Sequence, residues 1–214
     1  MTKKKHTLGF KLVMIAFIIL GITALSVGGW LFSVMSGLNR EHPSDEVIFG
    51  EGSKQALIIY QPSNNETTTN VTMELAKQLA DQGYRVTINY PSKELTYDLN
   101  GFDLIAFGTP VYMSRISFQL ESYVTNQSIE NKSILLFTTG MNLDQWDELK
   151  QMAAWFGNSN QVDAIKVGKA EPDLMKWFLE QSRQNWDKYK NTGYIAFHDA
   201  KDSGIDAITG ATMK

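Results

Sequence analysis

Between Leu104 and Phe107 the chain reads Leu-Ile-Ala-Phe, four apolar residues without alternation that stop at Gly108. Such a run suits a strand buried on both faces of a parallel sheet, with a loop at its carboxyl end. In open α/β sheets that is the end where ligands bind. The loop itself, Thr109-Pro110-Val111-Tyr112-Met113, carries a proline-stiffened backbone, an aromatic ring and a thioether. Together these suit packing on a flat heteroaromatic ligand. An ordinary strand–loop–helix connection is the plainer reading of the same residues.

The neighbouring segments alternate. A strand at 56–60 is followed by a helix at 69–82, with Val71, Leu75, Leu79 and Ala80 on one face, and by a strand at 84–90. After the strand at 104–107 come a helix at 117–125, a strand at 133–137, a helix at 143–156 and a strand at 162–167. A final helix, 172–189, has Pro172 in its first turn. Strands alternating with helices predict right-handed crossovers and an α/β domain whose parallel sheet is covered on both faces. With 214 residues, 43% of them apolar, the chain can build one such domain plus appendages.

One appendage is N-terminal. Lys3, Lys4, Lys5 and Lys11 precede an uncharged run of 28 residues, 12–39, whereas about 20 suffice to cross the hydrocarbon of a bilayer. The run reads as a transmembrane helix. The basic cluster lies before it and the opposite flank, Arg40-Glu41-His42, is mixed in charge. The positive-inside rule then keeps residues 1–11 in the cytoplasm and places the rest outside a cell membrane crossed once. A cleaved signal peptide is the competing reading, although such peptides have apolar cores of only about 7–15 residues. Residues 40–54 turn polar, with Pro43, Ser44, Gly50, Gly52 and Ser53, and read as a tether. The globular domain is expected over 55–190 and a tail over 191–214.

Several chemistries are excluded. A net charge of −3 without a concentrated basic face argues against nucleic-acid binding. The absence of cysteine removes disulfides, thiolate nucleophiles and thiolate metal sites. His6, His42 and His198 are too scattered for a metal site, and there is no G-x-S-x-G elbow or Walker loop.

Taken in order, the strand at 56–60, its hydroxyl-rich loop and helix, Gly108-Thr109-Pro110-Val111-Tyr112 and the later Leu135-Leu136-Phe137-Thr138-Thr139-Gly140 resemble the flavodoxin family. The resemblance covers roughly residues 55–189, and its best-matched part is the family's G-[ST]-P-x-Y loop. It implies a flavodoxin-like, doubly wound sheet of five parallel strands in the order 2-1-3-4-5, with FMN at the switch point between strands one and three. By the same resemblance Ser63, Asn65, Thr67, Thr68 and Thr69 would meet the phosphate. Pro110, Val111, Tyr112, Met113 and Ser114 would meet the ring and ribityl chain, and Thr138, Thr139, Gly140 and Met141 the opposite side of the ring.

A phosphate at a helix N-terminus is held by backbone N–H groups, the positive end of the helix dipole and nearby hydroxyls. The family's run is [ST]-x-T-G-x-T, and here it reads Ser63-Asn64-Asn65-Glu66-Thr67-Thr68, with Asn65 replacing Thr and Glu66 replacing Gly. Glu adopts a positive φ less readily than Gly. Pointing into solvent, it would serve as an acid that favours the helix dipole. A threonine-rich N-cap without a ligand is the alternative reading.

The tail carries a second pattern. Asp206-Ala207-Ile208-Thr209-Gly210-Ala211-Thr212 resembles the D-G-x-[ST]-G-A-T motif of covalent FMN-binding domains, with Ala207 in place of Gly. Those domains occur in subunits of sodium- or proton-linked oxidoreductase complexes, where a flavin transferase joins FMN phosphate to the final Thr. The resemblance implies Thr212 as acceptor, and the transferases of that family act outside the cytoplasm, where the N-terminal segment places the tail.

The expected function is a membrane-anchored, extracytoplasmic FMN carrier that passes electrons between redox proteins or within a membrane electron-transfer complex. No residue is required as catalytic acid or base. Two alternatives remain: a binding or scaffold protein that keeps the fold without flavin, and a flavin-dependent reductase of a quinone or small acceptor.

Overall fold

The computed structural model describes residues 8–189 and 192–204. The chain divides into two units, one ending at Gly37 and the other beginning at Leu38. The first contains helix α1, Leu8–Leu38, except for its last residue. Its thirty residues from Gly9 to Leu38 are long and apolar enough to cross a membrane, spanning about 45 Å at about 1.5 Å per residue.

The second unit is an α/β sandwich. Its strands are β1 Val47–Phe49, β2 Lys54–Tyr60, β3 Tyr84–Asn89, β4 Leu104–Pro110, β5 Ser133–Thr139, β6 Gln161–Val167 and β7 Tyr194–His198. Its helices are α2 Thr67–Asp81, α3 Phe118–Thr125, α4 Asp147–Ala153 and α5 Pro172–Lys188. The sheet has seven strands rather than the expected five, in the order β1-β3-β2-β4-β5-β6-β7. Its five central strands, β3-β2-β4-β5-β6, are parallel and keep the order 2-1-3-4-5. The two additions lie at the edges. β1 runs antiparallel to β3 within the stretch expected as a tether, and β7 continues the parallel sheet beyond β6.

Period-two alternation sorts the buried strands into two half-cores. Ile58, Tyr60, Val86, Ile88, Leu135, Phe137, Ile165 and Val167 face α2 and α5, with Leu75, Leu79, Leu174 and Phe178. Leu57, Ile59, Ile105, Phe107, Ile134, Leu136 and Val162 face α3 and α4, with Leu120, Leu149 and Met152. The crossover from β3 to β4 has no α-helix. A 3-10 turn at Leu99–Gly101 takes its place, with Leu95, Tyr97 and Phe102 against the second half-core.

β4 runs through Gly108 to Pro110, so the strand ends three residues later than its apolar run suggests. Gly108 is required by packing. A Cβ there would lie 2.0 Å from Cζ and 2.3 Å from Cε2 of the Phe137 ring, which is buried in the neighbouring strand. Gly108→Ala is therefore expected to lower stability by about 1–3 kcal/mol. The measurement is a shift in urea midpoint at unchanged slope. An unshifted midpoint would mean that Phe137 moves aside without cost.

Candidate functional site

Three loops meet at the carboxyl ends of β2, β4 and β5. The first leaves β2 at Gln61, whose backbone N–H donates to the Gly108 carbonyl at 2.9 Å. Glu66 N–H donates to the Ser63 carbonyl at 3.2 Å, and Asn70 N–H to the Glu66 carbonyl at 2.9 Å, which opens α2. Glu66 is the N-cap residue, with φ 60° and no side-chain cap bond. It thus holds the left-handed conformation suited to the glycine it replaces, with its side chain exposed. Two first-turn donors are met within the loop. Ser63 Oγ accepts from Thr68 N–H at 3.0 Å, and Asn65 Oδ1 accepts from Thr67 N–H at the long distance of 3.4 Å. Thr69 bonds the Tyr60 hydroxyl, which burial holds well above the ordinary phenol range.

The second loop follows Pro110, which is buried as the last residue of β4 instead of standing in the loop. Val111 N–H donates to the Thr139 carbonyl at 2.8 Å. Tyr112 and Arg115 then exchange backbone hydrogen bonds of 3.1 and 3.0 Å across a two-residue tip. Met113 and Ser114 form that tip with φ of 53° and 57°, the sign pattern of a type I′ turn built without glycine or asparagine. Met113 is 67% exposed. The Tyr112 hydroxyl accepts from Asn64 N–H at 3.3 Å, so the second loop leans on the first.

The third loop begins at Thr139, whose Oγ1 lies 2.6 Å from Oγ1 of the fully buried Thr68. Gly140 is half-buried, its N–H donating to the Val167 carbonyl at 3.0 Å, and Met141 is 92% exposed. Behind this loop lies an ion pair that sequence reasoning missed. Lys166 Nζ sits 3.2 and 3.3 Å from the Glu148 carboxylate oxygens and donates to the Gln145 carbonyl at 2.9 Å, with both side chains buried. Lys166 Cε is 3.5 Å from where a Cβ on Gly140 would stand, so this pair supports the loop from below.

The structure therefore joins the three expected groups through Thr68 to Thr139, Val111 to Thr139 and Tyr112 to Asn64. Met113, Ser114 and Met141 stand at exposed tips. Thr212 and the motif around it lie outside the described residues. Two buried polar atoms of the site lack a protein partner, each at the carboxyl end of its strand: Thr138 Oγ1, within the expected third group, and Gln61 Oε1, which the sequence did not single out for this role. Gln61 has a faint sequence signal, an amide where an apolar strand meets the hydroxyl-rich loop. Among the described residues no group of three His, Cys, Asp or Glu is placed to hold a metal.

Comparison with known proteins accords with this architecture. The family model described as a flavodoxin domain matches residues 57–191, more than half of the chain. No curated protein matches it by sequence. Among solved structures, a Streptococcus pneumonia TIGR4 flavodoxin superimposes with a TM-score of 0.50 at 15% identity, covering 63% of this chain and 98% of its own. A mutant flavo di-iron protein from Thermotoga maritima gives 0.50 at 13% identity, covering 63% of this chain and 36% of its own. A short-chain flavodoxin associated with a bacterial microcompartment gives 0.50 at 12% identity, covering 63% and 97%. At such identities the structural likeness shows the fold. With the family match over 57–191, the chain belongs to the flavodoxin domain family.

Proposed function

We propose that this protein is a membrane-anchored, extracytoplasmic flavoprotein that binds FMN and passes electrons between protein partners. The observation that carries the reading is the convergence of three loops at the switch point between β2 and β4, tied together through Thr68, Thr139 and Tyr112. The residues present fit FMN. The N–H groups of Asn64, Thr67 and Thr68 donate to a phenol, an amide oxygen and a hydroxyl, neutral acceptors that phosphate oxygens replace one for one. Gln61 Oε1 and Thr138 Oγ1 are buried polar atoms awaiting donors, as a ribityl hydroxyl or a ring N–H supplies. Glu66 keeps the loop's left-handed corner and turns its charge to solvent.

FMN, when bound, supplies one- and two-electron transfer, the electrons coming from a reduced partner and leaving to an oxidised one. The chain binds and orients. The first loop and the positive end of α2 would hold the phosphate, Val111 and Tyr112 would pack on one side of the ring, and Thr139 and Gly140 would line its opposite side. Exposed Met113 and Met141 offer adaptable contact at the rim. The anchor is α1, oriented by the N-terminal lysines with the domain outside. The tail motif supports covalent attachment of FMN phosphate at Thr212 by a flavin transferase.

Purified full-length protein in detergent is expected to show flavin absorbance, either as isolated or after FMN is added. A spectrum without flavin after loading would remove the carrier reading. On denaturing gels after co-expression with a flavin transferase, a fluorescent band is expected that disappears in Thr212→Ala. Its persistence would exclude that acceptor. Cleavage of the domain by a protease added outside intact cells is expected, and protection until the membrane is broken would overturn the orientation.

A second reading is favoured by one observation, the closure of the first loop on Tyr112 and Asn65. By this reading the protein is a flavin-free scaffold, and it predicts the flavin-less spectrum. Turnover of a small acceptor by the loaded protein with a reduced nicotinamide would point instead to a reductase.

A further inference from the structure

The segment that follows Leu38 resembles a linker in composition, yet it is bound along the carboxyl ends of the strands. Leu38 is 1% exposed. Asn39 Oδ1 accepts from Phe118 N–H, the first backbone donor of α3, at 3.0 Å, and the Gln119 side chain donates to the Asn39 carbonyl at 3.3 Å. The Arg40 carbonyl accepts from Gln61 Nε2 at 3.1 Å. His42 packs on Tyr90 with ring centroids 4.9 Å apart, and Tyr90 packs on Tyr60 at 5.3 Å. Burial, and then the charge of Arg40, hold His42 below its ordinary range, which favours the neutral ring in that stack. Asn89, buried at the end of β3, donates to Ser44 Oγ at 2.9 Å and accepts from Asp45 N–H at 3.0 Å. Glu46 accepts from the Tyr97 hydroxyl at 2.6 Å, immediately before β1 begins.

We infer that residues 38–46 are a positioning strap of the cofactor site, one that fixes the bases of the first and second loops together. The inference rests on the FMN reading for its functional consequence, and on geometry alone for the coupling. Gln61 opens the first loop. Its backbone is held by the Gly108 carbonyl and its side-chain N–H by the Arg40 carbonyl, so Oε1 has one orientation, buried and without a protein donor. Asn39 fixes the point where the second loop rejoins the fold. The adjacent Ser117 donates its N–H to Thr109 Oγ1 at 3.1 Å and caps Leu120 at 3.3 Å, while Asn39 satisfies the donor between them. One short segment thus touches the root of both loops, whereas a passive tether touches neither.

The test uses the full chain in detergent, FMN as the probe, and two readouts: the FMN dissociation constant from quenching of flavin fluorescence, and backbone hydrogen exchange over residues 61–68 and 111–118. Asn39→Ala is expected to weaken FMN binding about fivefold, the worth of one lost helix-capping bond, and to speed exchange in both loops. Asn39→Asp keeps an acceptor for Phe118 N–H and restores both. Ser44→Ala loosens the far end of the strap and is expected to leave exchange in both loops unchanged. Unchanged exchange in both loops of Asn39→Ala would overturn the strap, as would an equal effect of Ser44→Ala, which would mark a general loss of stability. If the wild type binds no FMN, the cofactor reading fails. Faster exchange in Asn39→Ala would still establish the coupling, and unchanged exchange would still refute it.

Discussion

Lys166→Met is expected to destabilise the domain by about 3–5 kcal/mol, because it leaves the Glu148 carboxylate buried without its cation. Glu148 and Lys166 are 3% and 4% exposed, and the lysine also satisfies the Gln145 carbonyl. The size of the loss measures the desolvated charge left behind more than the attraction removed. Lys166→Met combined with Glu148→Leu should therefore recover most of it, since apolar replacement of a whole buried pair is often neutral or better. Chemical unfolding of the two single variants and the double variant closes the cycle. If the double variant is no more stable than Lys166→Met, the single loss comes from disrupted packing under Gly140. The pair also holds the segment after the third loop, so each single variant should loosen Gly140 and Met141, read as faster exchange there.

Asp163→Ala is the second large effect, at about 3 kcal/mol or more. Asp163 is fully buried in β6, and its carboxylate accepts from Asn185 Nδ2 at 2.8 Å, from the Tyr194 hydroxyl at 2.6 Å and from His198 Nε2 at 2.7 Å. These donors come from α5 and from both ends of β7. Burial, and then the neighbouring carboxylate, push the Tyr194 hydroxyl well above its ordinary range, so it stays a neutral donor. Removing the acceptor strands three polar groups at once, and the edge strand should fray first. Exchange protection of Ile195 and Phe197 is expected to fall further than that of Ile134 or Leu136 in the centre. Asp163→Asn, which keeps one acceptor oxygen, should cost roughly half as much. Equal loss of protection across all strands would mean that β7 has no separate stability.

These two sites mark where sequence reasoning stops. The central strands are legible because Ala56, Leu57, Ile58 and Ile59, or Leu104 to Phe107, are apolar on both faces, and only a covered parallel sheet buries such runs. Lys166 and Asp163 sit in β6 among apolar neighbours, and a charged residue in a strand ordinarily reads as solvent-facing. Their partners, Glu148, Tyr194 and His198, are distant in sequence or separated by a helix, so no local pattern announces them. β1 is three residues long, too short for any periodicity. The strap is held by Asn39, Ser44 and Glu46, the residue types that also make linkers, and composition cannot separate a bound polar segment from a free one. In the candidate site the hydroxyl-rich loop and the Gly108-to-Tyr112 run are readable one by one. Their joining through Thr68 and Thr139, seventy-one positions apart, is a product of sheet order.

The contact between Tyr112 and Asn64 bears on how a ligand is admitted. An anion entering the first loop must displace the phenol oxygen from Asn64 N–H, so association is an exchange of one acceptor for another. The measured affinity is then a difference between two closed states, lowered by the fraction of time the phenol holds the site. The tip that carries Tyr112 is strained at Met113 and Ser114, both at positive φ. That strain opposes the self-closed arrangement only if it is relieved when the ring swings out, which makes the tip's backbone a setting for ligand affinity without any contact to the ligand.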